Sequence, residues 1–267
     1  MNEEINIIVC IKQVPDPEGP PSAFQVDSKE MWVIPKGIPP VLSPFDENAL
    51  ESALHIKDTN KNVRITAISM GKKLARAVVI KALAVGADEI ILLEDKNFDP
   101  KRLDCYSVAY VLATAIKKIG KYDLILLGRQ AADWNFGQVG SGIAEIFEIP
   151  SITLAQNVKL EDGNVMVERV LPDGYEVIRV SMPVLITVSH EVGDLRYPSM
   201  HDIEKSKNKP ITTWNIRDLG IELPQGHINL LKLFVPKQEK TCHFVEGESL
   251  EEAGANLALK LKEDKII

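Results

Sequence analysis

The residues best suited to chemistry are Gly128-Arg-Gln-Ala-Ala-Asp-Trp-Asn-Phe-Gly-Gln-Val-Gly140, followed closely by Gly142. They follow a short apolar run, Leu124 to Leu127, and lead into a helix expected from about Gln138. Gly137, Gly140 and Gly142 lack Cβ atoms, so a ligand or a strand can approach this backbone closely. The free N–H groups of a helix's first turn, helped by the helix dipole, form a seat for phosphate. Such a seat outside the carboxyl end of a strand is where open α/β sheets bind ligands. Arg129 has the fork geometry to hold a phosphate, and Asp133 a carboxylate for a ribose hydroxyl. The spacing matches neither the P-loop nor the GxGxxG fingerprint. A glycine-rich turn that merely packs well fits the same residues, and Asp133 fits equally a turn carboxylate bonding its own backbone.

Hydrolytic and metal chemistry have no such support. His55, His190, His201, His227 and His243 include no HExxH and no i,i+4 pair, and there is no GxSxG elbow. His190 follows a run ending at Val188, the position of either a site residue or a half-exposed strand end. The remaining candidates are strand ends. Cys10-Ile-Lys12, Ser69-Met-Gly71 and Gly128-Arg-Gln130 each close an apolar run, and in a parallel sheet such ends converge on one crevice. Ser43-Pro-Phe-Asp46 precedes a helix and can wall that crevice. The residues alone therefore describe a nucleotide-shaped site without a visible catalytic acid, base or nucleophile.

Bulk properties narrow the class. The chain has 267 residues, 45% hydrophobic and 26% charged, as in ordinary globular proteins. A net charge of −7 speaks against a nucleic-acid partner, which demands a basic footprint. No apolar run approaches the roughly 18 residues of a membrane span. The acidic start, Met-Asn-Glu-Glu, is unlike a secretory signal, so a cytoplasmic location is expected. Cys10, Cys105 and Cys242 are widely separated and form no CxxC, which suits buried thiols in a reducing compartment.

The elements that must position the candidates follow from hydrophobic periodicity. Ile5 to Ile11 reads as a strand buried on both faces. A hairpin is expected over 24–34, turning at Asp27-Ser-Lys29, and a helix over 46–57. Strands over 63–70, 89–93 and 122–127 alternate with helices over 72–85, 104–119 and 138–147. That alternation predicts right-handed βαβ units and a parallel sheet. After Pro150, segments 151–160, 164–171 and 175–180 read as antiparallel strands joined at two Asp-Gly turns, with a core strand returning over 184–188. From about residue 201 the alternation is lost until a helix over 248–262, capped by Ser249. A tail without a core of its own needs a surface to lie on, such as a second subunit.

At this point the chain resembles the beta subunit of electron transfer flavoproteins, nearly end to end. The resemblance rests on the 128–140 loop, Cys-Ile-Lys-Gln-Val-Pro-Asp at 10–16, Ser-Pro-Phe-Asp-Glu-Asn-Ala at 43–49 and Met-Gly at 70–71. Ala-Val-Gly-Ala-Asp at 84–88, Met-Pro-Val-Leu-Ile-Thr-Val at 182–188 and Leu-Arg-Tyr-Pro at 195–198 complete it. It implies an α/β fold: a parallel-sheet, Rossmann-like nucleotide-binding domain over 1–200 with an antiparallel hairpin insertion. An extended C-terminal arm over 201–267 would pack on the family's alpha subunit.

The resemblance also implies a cofactor, FAD in the electron-bifurcating branch or a structural AMP in the housekeeping branch. In the former, NADH gives a hydride to the FAD, which sends one electron to the alpha subunit and one to a stronger acceptor. The matched positions assign the nucleotide to Cys10, Ser43, Pro44, Phe45, Asp46, Met70, Gly128, Arg129, Gln130, Ala131, Ala132, Asp133, Trp134, Asn135, Phe136, Gly137, Gln138, Val139 and Gly140. Gly137-Gln-Val139 resembles the FAD branch, whereas Trp134-Asn135 replaces the family's acidic and glycine residues. An acidic side chain at Gly140 is expected to be tolerated by the fold, since it would stand at a helix start. The partner-docking loop falls at 190–197, with its aliphatic anchor near Val192, where an acceptor dehydrogenase or reductase would bind.

Overall fold

A computed structural model describes residues 4–236 and 242–267. They fall into two units, one ending at Leu233 and one beginning at Phe234. In chain order the elements of the first unit are β1 (Ile5–Cys10), β2 (Gln13–Pro15), β3 (Phe24–Asp27), β4 (Trp32–Pro35), β5 (Pro40–Leu42), α1 (Pro44–Thr59), β6 (Val63–Gly71), α2 (Arg76–Val79), α3 (Lys81–Val85), β7 (Glu89–Glu94), α4 (Cys105–Ile119), β8 (Leu124–Gly128), α5 (Val139–Phe147), β9 (Ser151–Glu161), β10 (Asn164–Leu171), β11 (Gly174–Ser181), β12 (Val184–Val188), α6 (Met200–Ser206), β13 (Ile211–Trp214) and α7 (Ile216–Leu219). The second unit holds α8 (Leu250–Glu263), whose cap Ser249 accepts from the Glu252 N–H.

The main sheet has the order β11-β10-β9-β12-β8-β1-β6-β7-β13. From β9 through to β13 every neighbouring pair is parallel, and only the β9–β10 and β10–β11 pairs are antiparallel, as the two Asp-Gly turns required. Alternation along β1 decides which layer each residue joins. Ile7 and Val9 point into one core with Leu50, Ala53 and Leu83 from α1 and α3, while Ile8 and Cys10 point into the other with Ala109, Leu112 and Ile143 from α4 and α5. The sheet is thus covered on both faces, which explains why its central strands are apolar throughout.

Three features depart from the sequence expectation. The helix expected over 72–85 is two short helices, and residues 72–75 lie outside both. There the Ala75 N–H is drawn to the Gln13 side chain at 2.6 Å, which holds Ala75 extended and delays the helix. The sheet also continues past residue 200, because β13 adds to β7 and Leu219 of α7 enters the core beneath it. Finally, β2 and β5 pair with each other, so residues 13–42 leave from and return to the carboxyl end of β1. No helix among the described residues is long and apolar enough to cross a membrane.

Candidate functional site

From β1 the chain steps to β6 and β7, then returns to β8 on the opposite side of β1. The carboxyl ends of β1 and β8 are therefore adjacent (Cys10 pairs with Leu127) while their loops diverge, which opens a crevice. A cavity of about 1250 Å³ occupies it.

Asp46 is the clasp of this crevice. It is buried in the first turn of α1, where its Oδ2 accepts the Lys12 N–H at 2.8 Å and its Oδ1 accepts the Gly128 N–H at 3.1 Å. One carboxylate thereby holds the ends of both strands. Burial pushes its pKa up to about 7, although the two N–H donors and the Lys12 charge pull the other way. Gly128 has no room for a side chain, because a Cβ would stand 2.5 Å from the Phe45 carbonyl carbon. Ser43 is fully buried and its N–H donates to the Lys12 carbonyl at 2.8 Å. Phe45 lies under Arg129, whose guanidinium carbon is 4.8 Å from the ring centre. Ser43, Pro44 and Phe45 thus support the wall without lining the cavity.

Cys10, Asp46, Met70 and most of the loop do line it: Gly128 to Ala131, Asp133, Trp134 and Phe136 to Gly140. Ala132 and Asn135 do not. Asn135 shapes the loop instead, with φ of 55°, its N–H on the Ala131 carbonyl and its side chain accepting from Gln130 at 3.0 Å. Gly137 requires a φ of 64°, which favours glycine. The Asp133 carboxylate meets Lys12 Nζ with both oxygens, at 2.8 and 2.7 Å, and so bridges the loops after β1 and β8. Trp134 and Phe136 are stacked at 5.6 Å and 13°, with Trp32 of the β3–β4 hairpin 6.1 Å from Trp134.

The glycines of α5 divide their duties. At Gly140 a Cβ would lie 2.6 Å from Thr187 Cγ2, and at Gly142 one would lie 3.0 Å from the Ala109 Cβ. These glycines bring α5 against β12 and α4, so the packing reading describes their side-chain face. Val139 and Gly140 nevertheless line the cavity at the helix's first turn, where N–H groups have no intrahelical partner. The tolerance expected for an acidic side chain at Gly140 is corrected: it would collide with β12.

Several lining residues were not singled out from sequence. Pro100 to Cys105, at the carboxyl end of β7, follow the same strand-end rule that found Met70. Lys12 belongs to a strand end that was recognised, and Trp32 arrives with the hairpin. Ile228 to Leu231 also line the cavity and carry no sequence signal. His190 does not line it; it is exposed beside Glu191 at 3.5 Å. Val192 is partly buried against the core, and its loop is strapped to α1. Asn48 donates to the Gly193 carbonyl at 2.7 Å, and Arg196 grips Glu51 at 2.7 Å and Asp58 at 2.8 Å. Tyr197, 94% exposed, projects from this rigid loop instead.

The electron transfer flavoprotein domain model matches residues 31–219. The chain belongs to the electron transfer flavoprotein beta-subunit family. It is 38% identical to subunit CarD of the caffeyl-CoA reductase-Etf complex of Acetobacterium woodii, over 98% of this chain and 100% of that protein. The electron transfer flavoprotein subunit beta of Clostridium acetobutylicum is 36% identical, with 98% and 100% covered. An acryloyl-CoA reductase electron transfer subunit gamma of Anaerotignum propionicum is 30% identical over the same shares, 98% and 100%. This family is one of electron-transfer subunits.

Proposed function

We propose that this chain holds FAD in the crevice between β1 and β8. With an alpha subunit it forms an NADH-fed, electron-bifurcating flavoprotein that serves an acceptor dehydrogenase or reductase in the cytoplasm. The size of the cavity carries this reading. At about 1250 Å³ it exceeds the roughly 300–1,000 Å³ of ordinary small-molecule pockets, and a mononucleotide would leave much of it filled with water.

Its chemistry suits a dinucleotide. The first turn of α5 offers N–H groups to a pyrophosphate, and Arg129, Lys72 and Lys73 bring cations to the same cavity. Met70, Leu74 and Phe136 supply apolar surface for a flat ring. When bound, the flavin supplies the redox chemistry, taking two electrons from NADH and passing them on singly. The protein's residues bind, orient and exclude water. Burial, and then the Asp46 charge, push the Cys10 thiol upward, so it remains a neutral wall residue.

The partner assignments have separate support. In the second unit, α8 has no buried residue and leaves Leu250 93% exposed, with Leu257 and Leu259 also in water. That apolar surface fits an arm lying on an alpha subunit. The loop around Val192, presenting Tyr197, is the surface we assign to the acceptor enzyme. Both partner classes agree with relatives named as subunits of reductase complexes. The test is to denature the purified two-subunit complex and count the released nucleotides. Two FAD and no AMP per heterodimer are expected, and one FAD with one AMP would overturn the reading.

A further inference from the structure

Residues 221–231 form no helix or strand, yet Ile228, Asn229, Leu230 and Leu231 make one wall of the cavity. Ile221 and Leu223 pack against the core, but beyond them Ile228, Leu230 and Leu231 are 53%, 43% and 91% exposed, so apolar burial does less to hold residues 226–231 in place. Asp104, the N-cap of α4, does more. Its two carboxylate oxygens have separate tasks. Oδ1 caps the helix, accepting the Ser107 N–H at 2.8 Å and the Ser107 hydroxyl at 2.7 Å. Oδ2 faces the segment, accepting the His227 N–H at 2.6 Å and the Ile228 N–H at 3.3 Å. The backbone also passes close at Gly226, where a Cβ would lie 3.5 Å from the same Oδ2, and the His227 ring rests 5.1 Å from Tyr106.

We propose that residues 226–231 are a strap across the nucleotide cavity, and that Asp104 is its latch and sets how fast the bound nucleotide leaves. This rests on the reading that the cavity holds an adenine nucleotide. Hydrogen bonds to an ionised oxygen are about twice as strong as neutral ones. A segment with no backbone ladder of its own opens by breaking whatever few bonds retain it. Asp104 is therefore a positioning residue for the cavity, acting through the strap.

The division between the two oxygens supplies the experiment. In Asp104→Asn the Oδ1 cap survives, since Asn caps as well as Asp, but the strap-facing atom becomes an NH₂ donor opposed to two N–H donors. Asp104→Ser keeps a cap and removes the strap acceptor without that clash. The full-length protein is loaded with FAD, and release is followed by flavin fluorescence on dilution, beside amide exchange at His227 and Ile228. Both variants should release FAD about tenfold faster, equivalent to about 1.4 kcal/mol. Both should also exchange those two amides faster while α4 stays protected. Release at the wild-type rate from a variant with an intact α4 overturns the strap, as does unchanged exchange at 227–228. If one variant loses α4 protection, the other decides. Wild-type protein that binds neither FAD nor AMP would instead refute the nucleotide reading, a distinct failure.

Discussion

Gly128→Ala is a severe test of the clasp, because one methyl group attacks it directly. Gly128 is not among the residues with positive φ, so alanine suffers no backbone penalty and the effect is steric alone. The new Cβ would meet the Phe45 carbonyl carbon at 2.5 Å, Asp46 Oδ1 at 2.7 Å and the Phe45 Cβ at 2.7 Å. Two of these atoms are backbone or tied directly to it, and the third belongs to a carboxylate held by one hydrogen bond on each oxygen, so none can swing aside cheaply. Overpacking of this kind costs about 1–3 kcal/mol. Above pH 7, where Asp46 is ionised, moving α1 away also lengthens the 3.1 Å bond from the Gly128 N–H to Asp46, and a bond to a charged group contributes about 1.5–3 kcal/mol. The combined loss is about 2.5–6 kcal/mol, out of the roughly 5–15 kcal/mol that hold an ordinary domain together. Urea unfolding of the nucleotide-free protein measures it, and nucleotide content after purification reports the crevice. A loss below about 1 kcal/mol with normal nucleotide content would show that β8 and α1 separate freely, and the clasp argument would fail.

Other outcomes follow from the same geometry. Asp46 titrates near 3.9 in an unfolded chain but near 7 when buried, so between those values the folded state holds the extra proton. Its contribution to stability therefore falls as pH rises through that window and is level above it. The wild-type minus Asp46→Asn difference in urea stability should show this slope between pH 4.5 and 8, and a flat difference would refute it. Arg196→Lys cannot span Glu51 and Asp58 together, and it should cost about 1–2 kcal/mol, discounted because the Arg196 side chain is 34% exposed. Amide exchange at 193–196 should rise with it, and unchanged exchange would mean the loop is held by other contacts. Deleting residues 234–267 spares β13 and should leave a folded unit that no longer co-purifies with an alpha subunit; a tight heterodimer from the truncated chain would place the interface elsewhere.

Much of this architecture is written locally. The β-branched run at 5–11, the Asp-Gly turns at 162–163 and 173–174 and the Ser249 cap act within a few residues, so periodicity and turn chemistry reveal them. The order of strands follows less directly, yet alternating helices and strands already implied a parallel sheet with ligands at its carboxyl ends, which led to Cys10, Met70 and Gly128. Tertiary structure alone decided the rest. β13 is four residues, mostly exposed, and is a strand only because β7 offers an unpaired edge. Gln13 interrupts the helix expected from residue 72 by a bond across 62 positions of sequence. Gly140 carries the same letter whether it admits a ligand or a strand, and only the position of Thr187 says that its Cβ side meets β12. The strap at 226–231 has no pattern at all, since its conformation is held by a carboxylate 123 residues away. Periodicity records what a residue does with its near neighbours in sequence; a bond formed across the fold leaves no trace there.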